Sequence, residues 1–379
     1  MKRLTRAALL SAALAFPAFA VEPGAPQPPV EVKADQEQRP RLDVVFVLDT
    51  TSSMSGLIEG AKQKIWSLAS RMASGKPTPR IRVGLVAFRD VGDSYVTKRF
   101  DLTEDLDAMY SNLRGLRAEG GGDTPEHVGR GLGEAVKLMS WTDDRRAAKL
   151  IFLVGDAPAQ RYQDGWDVTD WTKKAISKGI VVNTIRCGTD ASTAREFAQL
   201  AKLADGTFVS LDQSGGMVAT ATPFDAELAK MNDTLATKTL VGGSAAAQSE
   251  GRAKLGELRA LAPSVAADRL SYNSKAAPRG ASFAGELNGA VDLTTTPEKL
   301  ATLKEADLPP EVRAIEKDKR EGWVRAQAEE KKALERRVTE VAKQRDAWLS
   351  KNAKKTISFD DEVMGAVKGQ AAAAGVAYE

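Results

Sequence analysis

From residue 41 onward, short unbroken apolar runs alternate with longer segments whose apolar residues recur every three or four positions. Leu42–Leu48 (LDVVFVL) and Ile81–Phe88 (IRVGLVAF) are of the first kind, as are Leu150–Val154, Ile180–Ile185 and Thr207–Leu211. Continuous runs this short suit strands buried on both faces. Between them, Ile58, Ala61, Ile65, Leu68, Ala69 and Met72 form one stripe and predict a helix over Ile58–Met72. Further helices are predicted over Leu106–Leu116, Glu126–Met139, Trp166–Ser177, Arg195–Leu203 and Phe224–Thr237, the last closing the domain. Tyr95–Phe100 lies too close to Phe88 for a helical crossover and reads as a short edge strand. The alternation predicts an α/β fold, a doubly wound and mostly parallel sheet over 41–240, with a helical C-terminal extension. Ligands of such sheets bind at the carboxyl ends of the strands. That rule points to Asp49, Asp90 and Asp156.

The flanks read differently. After Thr239 the periodic signal fades: 241–310 is taken as a linker and irregular region, opening with the Gly/Ser/Ala-rich stretch Val241–Ser249. Residues 311–352 form a long charged helix in which Leu334, Val338, Val341 and Trp348 fall at heptad-like spacing. It is either a coiled-coil partner helix or a helix lying on the main domain. The tail, 353–379, ends frayed. Residues 21–40, rich in Pro and Gln, read as a flexible lead-in. Before them, Lys2, Arg3 and Arg6 precede the apolar run Ala7–Phe16 and the small-x-small site Ala18-Phe19-Ala20. This pattern predicts a secretory signal peptide over 1–20, cut after Ala20, and a periplasmic or secreted protein. Spanning a bilayer takes ~20 apolar residues. The run is shorter, and no later segment reaches that length, so no integral span is expected after cleavage.

Charge narrows the partners. The 54 Lys and Arg residues nearly balance 51 Asp and Glu, for a net charge of +3, which argues against nucleic acid. The single cysteine, Cys187, permits no internal disulfide and reads as a core thiol. The single histidine, His127, rules out a His-based zinc site and reads as a supporting imidazole rather than a catalytic one. No G-x-S-x-G, P-loop or dinucleotide fingerprint is present.

Candidate chemistry gathers at the strand ends. Asp49-Thr50-Thr51-Ser52-Ser53 reads D-x-T-x-S, one carboxylate and two hydroxyls alternating on a turn that opens a helix. Such oxygens are hard ligands suited to Mg²⁺ or Ca²⁺. Gly120-Gly121-Gly122-Asp123-Thr124-Pro125-Glu126 is a Gly-rich loop entering a helix, and Leu153–Pro158 ends a strand with Asp156. Each alone reads equally as a capped helix start, with Thr124 as cap and Pro125 at the first helical position.

Taken together and in this order, the three segments resemble the von Willebrand factor type A (vWA) fold, also seen in integrin I domains, over about residues 41–240. The resemblance implies a metal-ion-dependent adhesion site. Asp49, Thr51 and Ser53 match its first turn, and Asp156 matches the strand-end acid that acts through water. The second-loop ligand is Thr124 by one branch of the family and Glu126 by another, with Thr124 favoured because it leaves the ion more electrophilic. The same comparison implies a second, weaker Ca²⁺ site at Asp90 and Asp123, bridged by Glu126; the Asn that completes it in the family is Gly121 here. The implied cofactor is Mg²⁺, with Mn²⁺ or Ca²⁺ as alternatives. The implied partner is another protein, whose Asp or Glu completes the coordination. The favoured reading is therefore a non-enzymatic binding module of the cell envelope. A scaffold that binds through its C-terminal helical region is the second reading, and a metal-assisted hydrolase the third.

Overall fold

A computed structural model describes residues 39–122, 125–217, 220–276, 283–285, 287, 289–352 and 358–378. The expected signal peptide, all but the end of the lead-in, and the candidate ligands Asp123 and Thr124 lie outside the described residues. The central sheet consists of β1 (Arg41–Asp49), β2 (Arg80–Phe88), β3 (Thr97–Thr103), β4 (Ala148–Gly155), β5 (Ile180–Cys187) and β6 (Phe208–Leu211). Its order is β3-β2-β1-β4-β5-β6, and every neighbouring pair is parallel except β2 with β3. The edge strand inferred near Tyr95 is thus β3, beginning two residues later. In β1, alternate side chains serve two cores, which is why its apolar run is unbroken. Leu42, Val44 and Leu48 face one layer of helices, and Val45 and Val47 face the other.

The second layer is α3 (Val128–Leu138), α4 (Val168–Ser177) and α5 (Ala191–Leu203), packed through Leu132, Val136, Trp171, Phe197 and Leu200. The first begins with α1 (Ser55–Met72) and α2 (Leu106–Gly115). Its remaining piece is not the helix that sequence periodicity offered. The helix after β6, α6 (Asp225–Lys238), turns away from the sheet and buries Leu228 and Leu235 against α8 (Pro263–Ala276) and the long α9 (Arg320–Asn352). The sheet face is closed instead by α10 (Phe359–Ala371), whose Phe359, Val363, Met364 and Val367 join the same core as Leu48 and Val154. Residues 353–379 are therefore not merely a frayed tail, and the domain that begins near 41 is completed in space by the C-terminal helix.

The expected linker is also largely helical. Ala245–Arg259 forms α7, started by Ser244, whose hydroxyl accepts from Ala247 N at 3.2 Å. Alanine is the best helix former and Ser a favoured cap, so the stretch carries helix chemistry despite its low-complexity look. A two-residue ladder joins β7 (Val241–Gly242) to β8 (Val291–Asp292). The long helix begins at Arg320, after a separate turn at Pro310–Arg313. It is held inside the molecule: Val338 and Val341 are buried against α6 and α8, and Arg345 binds Asp225 and Asp268 at 2.7 Å each. Lys331 is buried too, on Asp292, Thr294 and Thr239. Of the apolar positions that suggested a coiled coil, Leu334, Val338 and Val341 pack against residues of the same chain. No helix among the described residues is long and apolar enough to cross a membrane.

Candidate metal centre

In the sheet order, β1 lies between β2 and β4, so successive crossovers leave it in opposite directions. A crevice opens at the carboxyl ends there. Asp49 is the last residue of β1, and Asp156 follows β4. The turn after Asp49 is held from three sides. Asp49 Oδ1 accepts from Thr51 N at 2.9 Å and from Thr51 Oγ1 at 2.7 Å, and Thr51 Oγ1 lies 3.2 Å from Ser53 Oγ. Thr50 N and Oγ1 both donate to Phe88 O, which ties the turn to the end of β2. Ser52 donates through N and Oγ to Gly120 O, which ties it to the Gly-rich loop. That loop approaches closely because Gly121 has φ +78 and no side chain; a Cβ there would meet Thr51 Cβ at 3.0 Å and Glu126 Oε1 at 3.7 Å.

Glu126 therefore stands beside the turn. The helix does not begin at Thr124-Pro125 as the sequence suggested. Glu126 N donates to Pro158 O and Gln160 N donates to Glu126 O, a parallel bridge that aligns Glu126 with the strand-end loop. The helix starts at Val128, and His127 caps it by accepting from Arg130 N through Nδ1 at 3.3 Å. Since Nδ1 is the acceptor, Nε2 carries the proton and donates to Asp164 at 2.9 Å. Both ring nitrogens of His127 are thus engaged, one at the start of α3 and one on Asp164.

The electrostatics of the crevice are one-sided. Asp49 is 1% exposed and Glu126 2%. Burial pushes the Asp49 carboxyl up to about 7; hydrogen bonds from Thr51 oppose the shift and the neighbouring charge of Asp156 adds to it. Burial pushes Glu126 up to about 8, with Asp49, Asp90, Asp93 and Asp156 all adding repulsion. Asp49 Oδ2 and Glu126 Oε2 are buried with no hydrogen-bond partner. Buried carboxylate oxygens are normally satisfied, and two orphans in one crevice mark a place for a positive group. The donors at the turn are two carboxylates and two hydroxyls. Among the described residues, no three His, Cys, Asp or Glu side chains form a metal-binding group. Hard oxygens of this kind suit a divalent cation such as Mg²⁺.

The other candidates are placed as follows. Both oxygens of Asp90 accept from the Tyr162 hydroxyl, at 2.9 and 2.8 Å. Asp93 accepts from Asp90 N and Gly121 N at 3.4 Å. Asp156 accepts at Oδ2 from Gln213 Nε2 at 2.6 Å. Tyr162 and Gln213 carried no signal in the sequence, since both lie in loops where no period or motif marks them. Cys187 is a buried core thiol, its pKa raised mainly by burial, to about 12.

Residues 43–222 match the family model described as von Willebrand factor A domain, and with this parallel sheet and its flanking helices the chain carries a domain of that family. Such domains are typically protein–protein binding modules. Among curated proteins, a putative ariadne-like RING finger protein of Acanthamoeba polyphaga mimivirus is 29% identical over 85 residues. That match covers 22% of this chain and 8% of the viral protein. Similar solved structures include the conserved hypothetical protein BatB from Bacteroides thetaiotaomicron (17% identity, TM-score 0.34, 46% of this chain and 90% of that one). The SpRpn10 VWA domain is 15% identical (TM-score 0.36, 47% and 91% covered). Proximal thread matrix protein 1 of the mussel byssus, with a zinc-occupied MIDAS motif, is 17% identical (TM-score 0.36, 45% and 42% covered).

Proposed function

We propose that the protein is a metal-ion-dependent binding module of the cell envelope, in which a hard divalent cation at the end of β1 receives an Asp or Glu from a partner protein. Asp49, Thr51 and Ser53 would hold the ion, Asp156 would act at one remove, and Glu126 or Thr124 would serve from the second loop. When bound, the cation supplies a concentrated positive charge that attracts a carboxylate. The observation that carries this reading is the pair of buried, unpartnered oxygens on Asp49 and Glu126 beside a third carboxylate. Mg²⁺ is the ion whose preferred ligands match the donors, with Mn²⁺ and Ca²⁺ as substitutes. A second Ca²⁺ at Asp90 would compete with Tyr162 for both of its oxygens. The envelope location follows from the signal-peptide pattern and is part of the proposal.

The hydrolase reading needs a general base beside the ion. His127, the only imidazole, is occupied as a cap and by Asp164, which favours binding over turnover. The test is titration calorimetry of the full chain with Mg²⁺, followed by capture of envelope proteins with and without EDTA. Saturable binding of one Mg²⁺ that is lost in Asp49→Ala, together with EDTA-sensitive capture, is expected. Capture that persists in EDTA and in Asp49→Ala would refute metal dependence.

A further inference from the structure

We infer that Gln213 is a positioning residue that keeps Asp156 from closing on the cation with both oxygens, and so reserves a coordination position for the partner's carboxylate. This rests on the metal-dependent reading above and deepens it. Gln213 lies in the loop that follows β6. Its Nε2 is 2.6 Å from Asp156 Oδ2 and 3.1 Å from Ser53 O. Both are acceptors, so the amide must turn its NH₂ toward them and the orientation is fixed by chemistry. Its Oε1 is pressed against Gly188, where an added Cβ would sit 2.3 Å away. The amide thus bridges the end of β5 and the turn after β1 from an exposed position. The loop itself is seated, since Gly215 O accepts from Phe359 N at 2.9 Å and Met217 is buried against Gly60.

Apart from Gln213, the Asp156 carboxyl group meets the Asp49 carboxyl, side chain to side chain. With Oδ2 held by Gln213, only the other oxygen can face the ion or a water on it. Mg²⁺ takes six ligands and keeps waters where the protein supplies few. An Asp156 bound through both oxygens would fill the positions a partner needs. Gln213 prevents this without adding negative charge, whereas a glutamate in its place would add a further anionic ligand.

The test uses the full chain with Tb³⁺ as a luminescent substitute, displaced by Mg²⁺. Luminescence lifetimes in H₂O and D₂O count the waters left on the ion. Gln213→Met preserves length and removes the donor; the bound ion is expected to lose at least one water relative to wild type. Gln213→Glu preserves shape and adds a carboxylate; a loss of water and about tenfold tighter Tb³⁺ binding are expected, since ligand charge sets affinity in such sites. A purely structural role for the loop would change melting temperature without changing the water count. The inference is overturned if both variants keep the wild-type water count and bind Tb³⁺ within twofold of wild type. Absence of saturable Tb³⁺ binding by wild type would instead overturn the metal reading itself.

Discussion

Replacing Phe359 by alanine tests whether the C-terminal helix is a structural part of the domain. The Phe359 ring is 5% exposed and lies 6.1 Å from the ring of Phe46 on β1, which in turn stacks on Phe152 of β4 at 5.6 Å. Three aromatic rings thus join α10 to the two central strands. Truncating a buried Phe to Ala costs ~3–5 kcal/mol. One side of this ring already faces a cavity of about 50 Å³, bounded by Leu48, Leu57, Met109 and Met217. Packing atoms missing there are not lost a second time, so the cost should fall near the lower end, about 3 kcal/mol. Urea unfolding of the full chain, followed by tryptophan fluorescence at constant m, measures it. Hydrogen exchange should show the amides of Asp360–Ala371 losing protection before those of β1. The reasoning is refuted if stability falls by less than about 1 kcal/mol, because the helix would then not occupy the sheet face.

Further perturbations have signs that follow from local chemistry. Gly365→Ala, in the same helix with open space at its Cβ position, should stabilise by ~0.5–1 kcal/mol in the same urea assay. Arg345→Met leaves Asp225 and Asp268 buried without their cation and should cost ~3–5 kcal/mol; Asn at both aspartates should recover part of the loss. Gly129→Ala would place a Cβ 1.9 Å from the Trp166 carbonyl oxygen; forcing α3 outward should cost ~1–3 kcal/mol, read as a lowered urea midpoint. Asp190 caps α5, and hydrogen bonds from Ser192 and then Thr193 hold its carboxyl at about 2, below the ordinary 3.8. Its contribution is therefore full above the ordinary value and is lost as pH falls toward 2. Asp190→Ala should cost ~1 kcal/mol at neutral pH, and the gap from wild type should narrow in acid.

The strands and the turn after β1 were legible in the sequence for one physical reason: each is defined by its own local run of residues. A strand buried on both faces must be continuously apolar, and D-x-T-x-S sits where β1 has just ended. What was not legible depends on contacts distant in the chain. The stripe of α6 says that one face is buried but not against what, and its partners Leu270, Val338 and Val341 come from later helices. The position it was expected to fill goes to Phe359, Val363 and Val367, more than a hundred residues on. Pro125-Glu126 has helix-start chemistry, yet its backbone is drawn into a bridge with Ala159 that no local pattern reveals. Tyr162 and Gln213 reach the site for the same reason, as loop residues placed by the ends of β4 and β6.

This wiring decides how the two binding readings can be told apart. A chain cut after Thr239 would lose α10 and uncover the part of the sheet face that it covers, along with the partners of α6, so loss of binding would follow whichever region meets the partner. The discriminating changes must leave both cores intact. Asp49→Ala removes a candidate ligand from the turn, whereas reversing the exposed Arg336 and Lys343 to Glu alters the outer face of α9. Loss of partner capture in the first and its survival in the second is expected if the cation carries recognition. The opposite pattern would move the interface to the long helix and leave the crevice at β1 without a role in binding.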